Sequence, residues 1–198
     1  MVGTKCLTRI KILKGKYTMK RKILVLLLGI VFASMCFAYN PLVGKTYGKH
    51  AEGAFTGKYD VIFEFSEDWD IEFGDFSNVG TVEITEIYND DNPDFEDFYG
   101  RRTDWSGFCV YDEARQKLRI IVMYCSDYDG EKDVFEYSQE NNDKLESFTK
   151  SQQSLIKQYD GIFSVEEGVV GENGVVYQYI NLTGSKGKPS LTYLWLQE

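Results

Sequence analysis

Side chains that often carry enzyme chemistry are sparse in this chain. His50 is the sole histidine, so a zinc site built from several histidines is excluded and a single imidazole base is available. It stands in a glycine-rich stretch, where a solvated loop histidine is the simpler interpretation. The sequence has no GxSxG elbow and no phosphate-binding glycine loop. We therefore predict a protein that is not an enzyme and needs no cofactor.

Carboxylates are the one abundant reactive group. The chain has 31 Asp and Glu against 22 Lys and Arg, and one pair at the correct separation in space suffices for glycoside hydrolysis. A sequence does not give that separation. A carboxylate-dependent hydrolase therefore stays open as the least favoured hypothesis.

Two acidic stretches are candidates for calcium binding. In the first, Cys125 occupies position one of a calcium-loop template, where an oxygen ligand is required, and strand patterns flank the loop. A hairpin turn explains the same residues. The second stretch, 89–97, lacks ligand spacing and is typical of a solvated loop. Calcium binding is left open, and the acidic positions of the first stretch are Asp127, Asp129, Asp133 and Glu136.

Aromatic residues are the other candidate binding residues. The chain has 14 Tyr, 13 Phe and 3 Trp, enough either to line an apolar ligand cavity or to fill a small core. The last strand, 191–196, is predicted to be apolar on both faces, with Leu191, Tyr193 and Trp195 sharing one. It is either a central strand or a strand with one face against a partner. Four residues are predicted to bind a ligand: Phe63, Trp69, Trp105 and Tyr177.

Residues 1–38 have the order of a secretory leader. The basic triplet 20–22 precedes the apolar run 23–32, and small residues lead to Ala38. This run is short for a membrane span of about 20 apolar residues. We predict cleavage before Tyr39 and export to the periplasm, the cell surface or the medium, with no membrane span afterwards. A retained anchor, lipid attachment at Cys36 and a start at Met19 are the alternatives.

Loss of the leader would leave a strongly acidic domain. All 8 basic residues of the leader depart with no acid, so 14 basic and 31 acidic residues remain. This charge disfavours nucleic acid and anionic membranes as partners. Residues 39–198 are enough for one domain.

Period-two alternation predicts the strands of that domain. Val61, Phe63 and Phe65 share one face, and the run 69–73 alternates after an acidic turn. One short helix is predicted over Ser151–Tyr159, capped by Ser151. About 8 to 10 strands indicate an all-β antiparallel meander barrel, with a sandwich as the alternative. The other predicted strands are 82–88, 105–111, 118–124, 134–137, 145–148, 162–165, 175–182 and 191–196.

Beyond the leader, the cysteines are Cys109 and Cys125. The predicted hairpin of 108–111 and 118–124 places Cys109 opposite Leu118 or Arg119. Cys125 then lies about six residues further along, roughly 20 Å away, whereas a disulfide needs Cα atoms within about 7 Å. We predict that the two cysteines are not bonded to each other.

Several stretches resemble a known barrel family. They are LVGKTY at 42–47, FEF at 63–65 with Trp69 after it, WSGF at 105–108, KLRI at 117–120, and FEYS at 135–138. Together they resemble the bacterial lipocalin-like, calycin-type β-barrel domain. The resemblance implies an eight-stranded barrel, extended by extra strands, with an interior cavity for a small apolar ligand.

Three functions are consistent with these patterns. The first is an exported cell-envelope protein that holds a small apolar ligand inside the barrel. The second is a periplasmic or surface module with a solid barrel that binds or inhibits another envelope protein, and the third is the hydrolase. A cavity lined by tryptophans favours the first. A filled interior with an exposed aromatic patch favours the second.

Overall fold

A computed structural model describes residues 40–66, 79–130, 132–140, 144–172, 174–185 and 187–197. Asn40–Glu198 form one compact unit. The leader and the predicted strand around Trp69 lie outside the described residues.

Nine strands and one α-helix make up most of the described residues. No helix among them is long and apolar enough to cross a membrane. Short 3₁₀ turns occur at Pro93–Phe98, Glu113–Arg115 and Leu145–Ser147. The main elements are β1 (Lys45–Gly53), β2 (Gly57–Ser66), β3 (Val79–Tyr88), β4 (Arg102–Asp112), β5 (Lys117–Tyr128), β6 (Asp133–Ser138), α1 (Lys150–Ile156), β7 (Gly161–Glu172), β8 (Val175–Gly184) and β9 (Ser190–Leu196).

The strands form one antiparallel sheet that closes on itself. Their order is β4-β3-β2-β1-β9-β8-β7-β5-β6, and β4 also pairs with β5. Residues 117–120 of β5 pair with β7, whereas residues 124–128 pair with β6. Eight strands therefore complete the ring and β6 is an added strand. The predicted all-β meander barrel with one short helix is confirmed.

The inward side chains of the ring form the core, as the alternation predicts. Val61, Phe63 and Phe65 on β2 are at most 1% exposed. The turn after α1 packs on this core, because the ring of Tyr159 meets Phe63 at 5.4 Å and Trp105 at 4.9 Å, both edge-on. The indole Nε1 of Trp105 also donates to the Leu155 carbonyl at 2.9 Å. These contacts hold α1 against the barrel.

The helix begins one residue earlier than predicted. Its N-cap is Thr149, not Ser151, because Thr149 and Gln152 form a reciprocal capping box. The predicted strand 145–148 is wrong, since these residues form a 3₁₀ turn that leads into the cap. Phe148 packs there against Phe135 and Tyr137 on β6, so a tertiary contact rather than strand pairing partly buries this aromatic residue.

The register of the β4–β5 hairpin differs from the predicted one. Cys109 lies opposite Ile120, and Cys125 lies opposite Trp105. A shift between Ser106 and Gly107 marks a bulge in this hairpin. Both cysteines are buried and free, which confirms that they are not bonded to each other.

Candidate functional site

A buried carboxylate lies where α1 meets the barrel. Glu86 is 4% exposed and accepts hydrogen bonds from Tyr88 at 3.0 Å, Gln158 at 2.7 Å and Tyr159 at 2.5 Å. Burial raises the pKa of Glu86, against the lowering effect of these three donors. Since Gln158 and Tyr159 follow α1, the carboxyl fastens the helix to β3. Its contacts support a structural role.

The first acidic stretch is also engaged in structure. Asp127 is 1% exposed and accepts two hydrogen bonds from Arg101, at 2.5 and 3.0 Å, and one from Thr103 at 2.8 Å. The residues after it turn back into β6 with Gly130 at φ +90°, a conformation that favours glycine. This stretch is therefore a hairpin whose first carboxylate, Asp127, is already paired with Arg101.

The second acidic stretch is a loop held by its own side chains. Asp90 accepts from the backbone N–H groups of Lys58 at 2.9 Å and Asn92 at 3.1 Å, and these bonds lower the pKa of its carboxyl. Across the described part of the chain, no group of three or more His, Cys, Asp or Glu is arranged to hold a metal ion.

The cysteines are poor nucleophiles in this setting. Burial raises the pKa of Cys109 to about 12, and burial together with Asp127 raises the pKa of Cys125 further. Since the thiolate is the reactive form, neither side chain is suited to cysteine chemistry at neutral pH.

The structure separates the four predicted ligand-binding residues. Phe63 and Trp105 lie together in the interior, where Tyr159 covers both rings. Tyr177 lies on the outside of the barrel and is 47% exposed. Trp69 is outside the described residues. The two interior residues are packed into the core and the third faces solvent.

A bulge in β9 moves Leu191 to the face opposite the predicted one. Ile180 pairs with Leu194 and Leu182 with Leu191, so two steps on β8 match three on β9. The extra residue lies at Tyr193, whose φ is +55° and whose N–H donates to Asn181 Oδ1 at 2.8 Å. Leu191 and Leu194 are therefore both buried, and the prediction that Leu191 shares a face with Tyr193 is wrong.

The outward rings of β8 and β9 form a cluster that we call the aromatic patch. Its members are Tyr177, Tyr179, Tyr193 and Trp195. Tyr193 and Trp195 stack at 5.8 Å with planes 21° apart, and Tyr179 meets them at 5.0 and 5.4 Å. Gly168 on β7 leaves room for the Tyr179 ring, since a Cβ there would lie 2.3 Å from it. Tyr193 is 52% exposed, so the patch is ordered by its own contacts and still open to solvent.

Beside the patch a groove crosses β1. Gly48 pairs with Trp195 on β9 and with Ile62 on β2. Because glycine has no side chain, Gly48 forms the floor of the groove between the side chains of these two residues. The groove has a volume of about 450 Å³, within the range of about 300–1,000 Å³ that is usual for ligand sites. The remaining lining residues are Lys49, His50, Asp60, Val61, Thr192, Tyr193 and Gln197.

His50 stands on the groove wall. It belongs to β1, so the prediction of a loop histidine is wrong, although the side chain is exposed as expected. Its Nδ1 contacts Asp60 Oδ1, and the other oxygen of Asp60 accepts from Asn89 at 2.8 Å. The described residues that line the groove include neither serine nor cysteine. His50 and Asp60 therefore have no serine or cysteine nucleophile beside them among these residues.

No protein-family model, curated protein or solved structure matches this chain. Function is therefore inferred from the geometry of the patch and the groove. Sequence reasoning had one relevant signal, the apolar character of both faces of β9. It missed the groove, because the pairing of Gly48 with Trp195 joins two strands that are far apart in the sequence.

Proposed function

We propose that this protein is an exported, non-enzymatic binding module of the cell envelope that recognises its target on the aromatic patch. The observation that carries the proposal is the contrast between the packed interior rings of Phe63, Trp105 and Tyr159 and an outward cluster of four rings. The leader-like residues 1–38 and the acidic composition support export of a well-solvated domain.

The patch has the properties of a binding surface. Contiguous apolar surface on a soluble protein marks interaction sites, and Tyr and Trp supply much of the energy in such sites. Mutual packing of the rings also reduces the side-chain entropy lost when a target binds. Val170, which pairs with Tyr177 on β8, and Val175 extend the exposed apolar surface beyond the patch.

Interior binding of an apolar ligand is less well supported. A ligand between Phe63 and Trp105 would displace Tyr159, and the bonds from Tyr159 to Glu86 and from Trp105 to Leu155 hold that region closed. The lipocalin-like resemblance is kept as a hypothesis about the fold, since one fold serves many functions.

A sedimentation assay tests the proposal. The exported protein is mixed with envelopes isolated from its native host, and binding is compared with that of the double variant Tyr177→Ala/Tyr193→Ala. We expect the double variant to bind at least about tenfold more weakly, because two half-exposed anchors are lost. Tyr99→Ala is the matched control, since Tyr99 is an exposed tyrosine away from the patch.

Two results would contradict the proposal. The first is equal binding by the double variant and the parent protein. The second is a change of tryptophan fluorescence when a fatty acid is added, if the change also occurs in the double variant. That result would support ligand binding inside the barrel.

A further inference from the structure

The groove over Gly48 joins two kinds of surface. On one side Tyr193 and Trp195 present nearly parallel rings, 21° apart. On the other side His50 and Asp60 present polar atoms to solvent. A ligand that fills this groove meets flat aromatic carbon and hydrogen-bonding groups together.

The aromatic side matches the face of a sugar ring. The C–H groups on one face of a pyranose form a flat apolar surface with slightly positive hydrogens, which packs against the electron-rich face of an aromatic ring. Tyr193 is 52% exposed, so a sugar ring can pack against the part of its surface that Trp195 does not cover. The groove is also continuous with Tyr177 and Tyr179 through Trp195.

The polar side offers both donors and acceptors. A carboxylate has about four lone-pair sites, and the bonds to Asp60 from His50 and Asn89 leave others for ligand hydroxyls. Gln197 donates to the Trp195 carbonyl at 2.9 Å, so its amide is held at the groove and its carbonyl oxygen can accept. Hydroxyl groups both donate and accept hydrogen bonds, so they can bond to donors and to acceptors on this side of the groove.

Charge and solvation exclude other ligand classes. An anionic ligand would meet Asp60 and a chain with a net charge of −9, and Lys49 is the one Lys or Arg among the described residues that line the groove. A purely apolar ligand would remove water from His50 and Asp60 without replacing its hydrogen bonds, which is costly. A neutral polyhydroxyl ligand avoids both penalties.

From these contacts we infer that the groove is a binding site for a neutral oligosaccharide or polysaccharide chain. A sugar ring packs on the exposed surface of Tyr193 beside Trp195, and hydroxyl groups bond to Asp60 and Gln197. The inference rests on the proposed function and deepens it, since it names the chemistry of the envelope target.

Calorimetric titration of the full exported protein tests the inference. The probes are soluble neutral hexasaccharides of glucose, mannose, xylose and N-acetylglucosamine, with a hexasaccharide of galacturonic acid as the anionic comparison. We expect at least one neutral probe to bind and the anionic probe not to bind. Tyr193→Ala and Asp60→Asn should each weaken binding by about tenfold, and Tyr99→Ala should leave it unchanged.

Filling the groove gives a second, independent test. Gly48→Leu should abolish saccharide binding, because its side chain occupies the floor between Trp195 and Ile62. Gly48→Ala checks folding, since its Cβ would meet the flexible Gln197 amide at 3.2 Å. The smaller variant should fold and bind more weakly than the parent, and its full binding would overturn the inference.

The outcomes separate the inference from the proposed function. If no neutral probe binds while envelope binding still depends on Tyr177 and Tyr193, the inference fails and the proposed function stands. Loss of envelope binding after protease treatment of the envelopes would indicate a protein target and also overturn the inference. Saccharide binding that is unchanged in Tyr193→Ala would refute this site, and envelope binding unaffected by the patch variants would refute the proposed function.

Discussion

Two aromatic clusters in this barrel are similar in composition and opposite in environment. In the interior, Trp105 and Tyr159 are at most 1% exposed, and their polar atoms bond to Leu155 and Glu86. On the outside, Tyr177 and Tyr193 pack against neighbouring rings and remain about half exposed. The interior rings are bound to the protein itself, whereas the outer rings keep surface exposed to solvent. In the function that we propose, burial distinguishes residues that hold the fold from residues that recognise a target.

Truncating one ring from each cluster should give the largest difference. Trp105→Ala removes a fully buried ring and a hydrogen bond, so we expect a loss of about 3–5 kcal/mol in the free energy of unfolding. Tyr193→Ala should cost less than about 1 kcal/mol, as is usual at the surface. Urea denaturation measures both values. Similar losses in the two variants would mean that the outer cluster also holds the fold.

Arg101, which precedes β4, and Arg102, its first residue, allow a second comparison between buried and exposed groups. Arg101→Ala leaves Asp127 buried with one remaining donor, Thr103, and should cost about 2–3 kcal/mol. The loss is below that of a fully buried pair because Arg101 is partly exposed. Arg102→Ala breaks an exposed pair with Asp104 and should cost less than about 1 kcal/mol. Equal losses in thermal or urea unfolding would contradict this ranking.

The buried carboxyl should make stability depend on pH. Burial raises the pKa of Glu86 above its ordinary value of 4.5, so the stability that this group contributes is full below 4.5 and is lost as pH rises through its folded pKa. Glu86→Gln has no such loss. We expect its unfolding free energy to rise relative to the parent protein as the pH increases above 4.5.

An exposed glutamate on the same strand supplies the control for that experiment. Glu83 points outward from β3, and Glu83→Gln should show a smaller pH-dependent difference from the parent. A difference between Glu86→Gln and the parent that does not change with pH would show that Glu86 has no such effect.

The smallest expected effect concerns the backbone of the bulge. Tyr193 has a left-handed φ of +55°, which costs roughly 1 kcal/mol for a residue with a Cβ. Tyr193→Gly should therefore be up to about 1 kcal/mol more stable than Tyr193→Ala, while both variants should bind the proposed target more weakly than the parent protein. Equal stability of the two variants in urea would argue against strain at this position.

Much of the fold could be predicted because its signals are local. The burial of Val61, Phe63 and Phe65 follows from strand periodicity, and the turn residues separate most strands. The prediction failed at 145–148 and in the faces of β9. Packing of Phe148 on β6 decided the first case, and a single inserted residue in β9 decided the second.

The site was only partly predictable. The two apolar faces of β9 predicted either a central strand or a partner surface, and Tyr177 was selected as a binding residue, although in an interior cavity. The sequence around His50 did not predict its contact with Asp60. That contact depends on the register between β1 and β2, which alternation alone does not determine.

The sequence by itself determined the class of the protein: a leader-like segment, an acidic composition and enough alternating strands for a barrel with an aromatic core. These properties depend on residue type and on neighbours a few positions away. Only the tertiary structure decided which aromatic residues face outward and placed Gly48 between Trp195 and Ile62. The physical reason is that ring closure joins β9 to β1, and the partner of a strand depends on long-range pairing that local propensity does not encode.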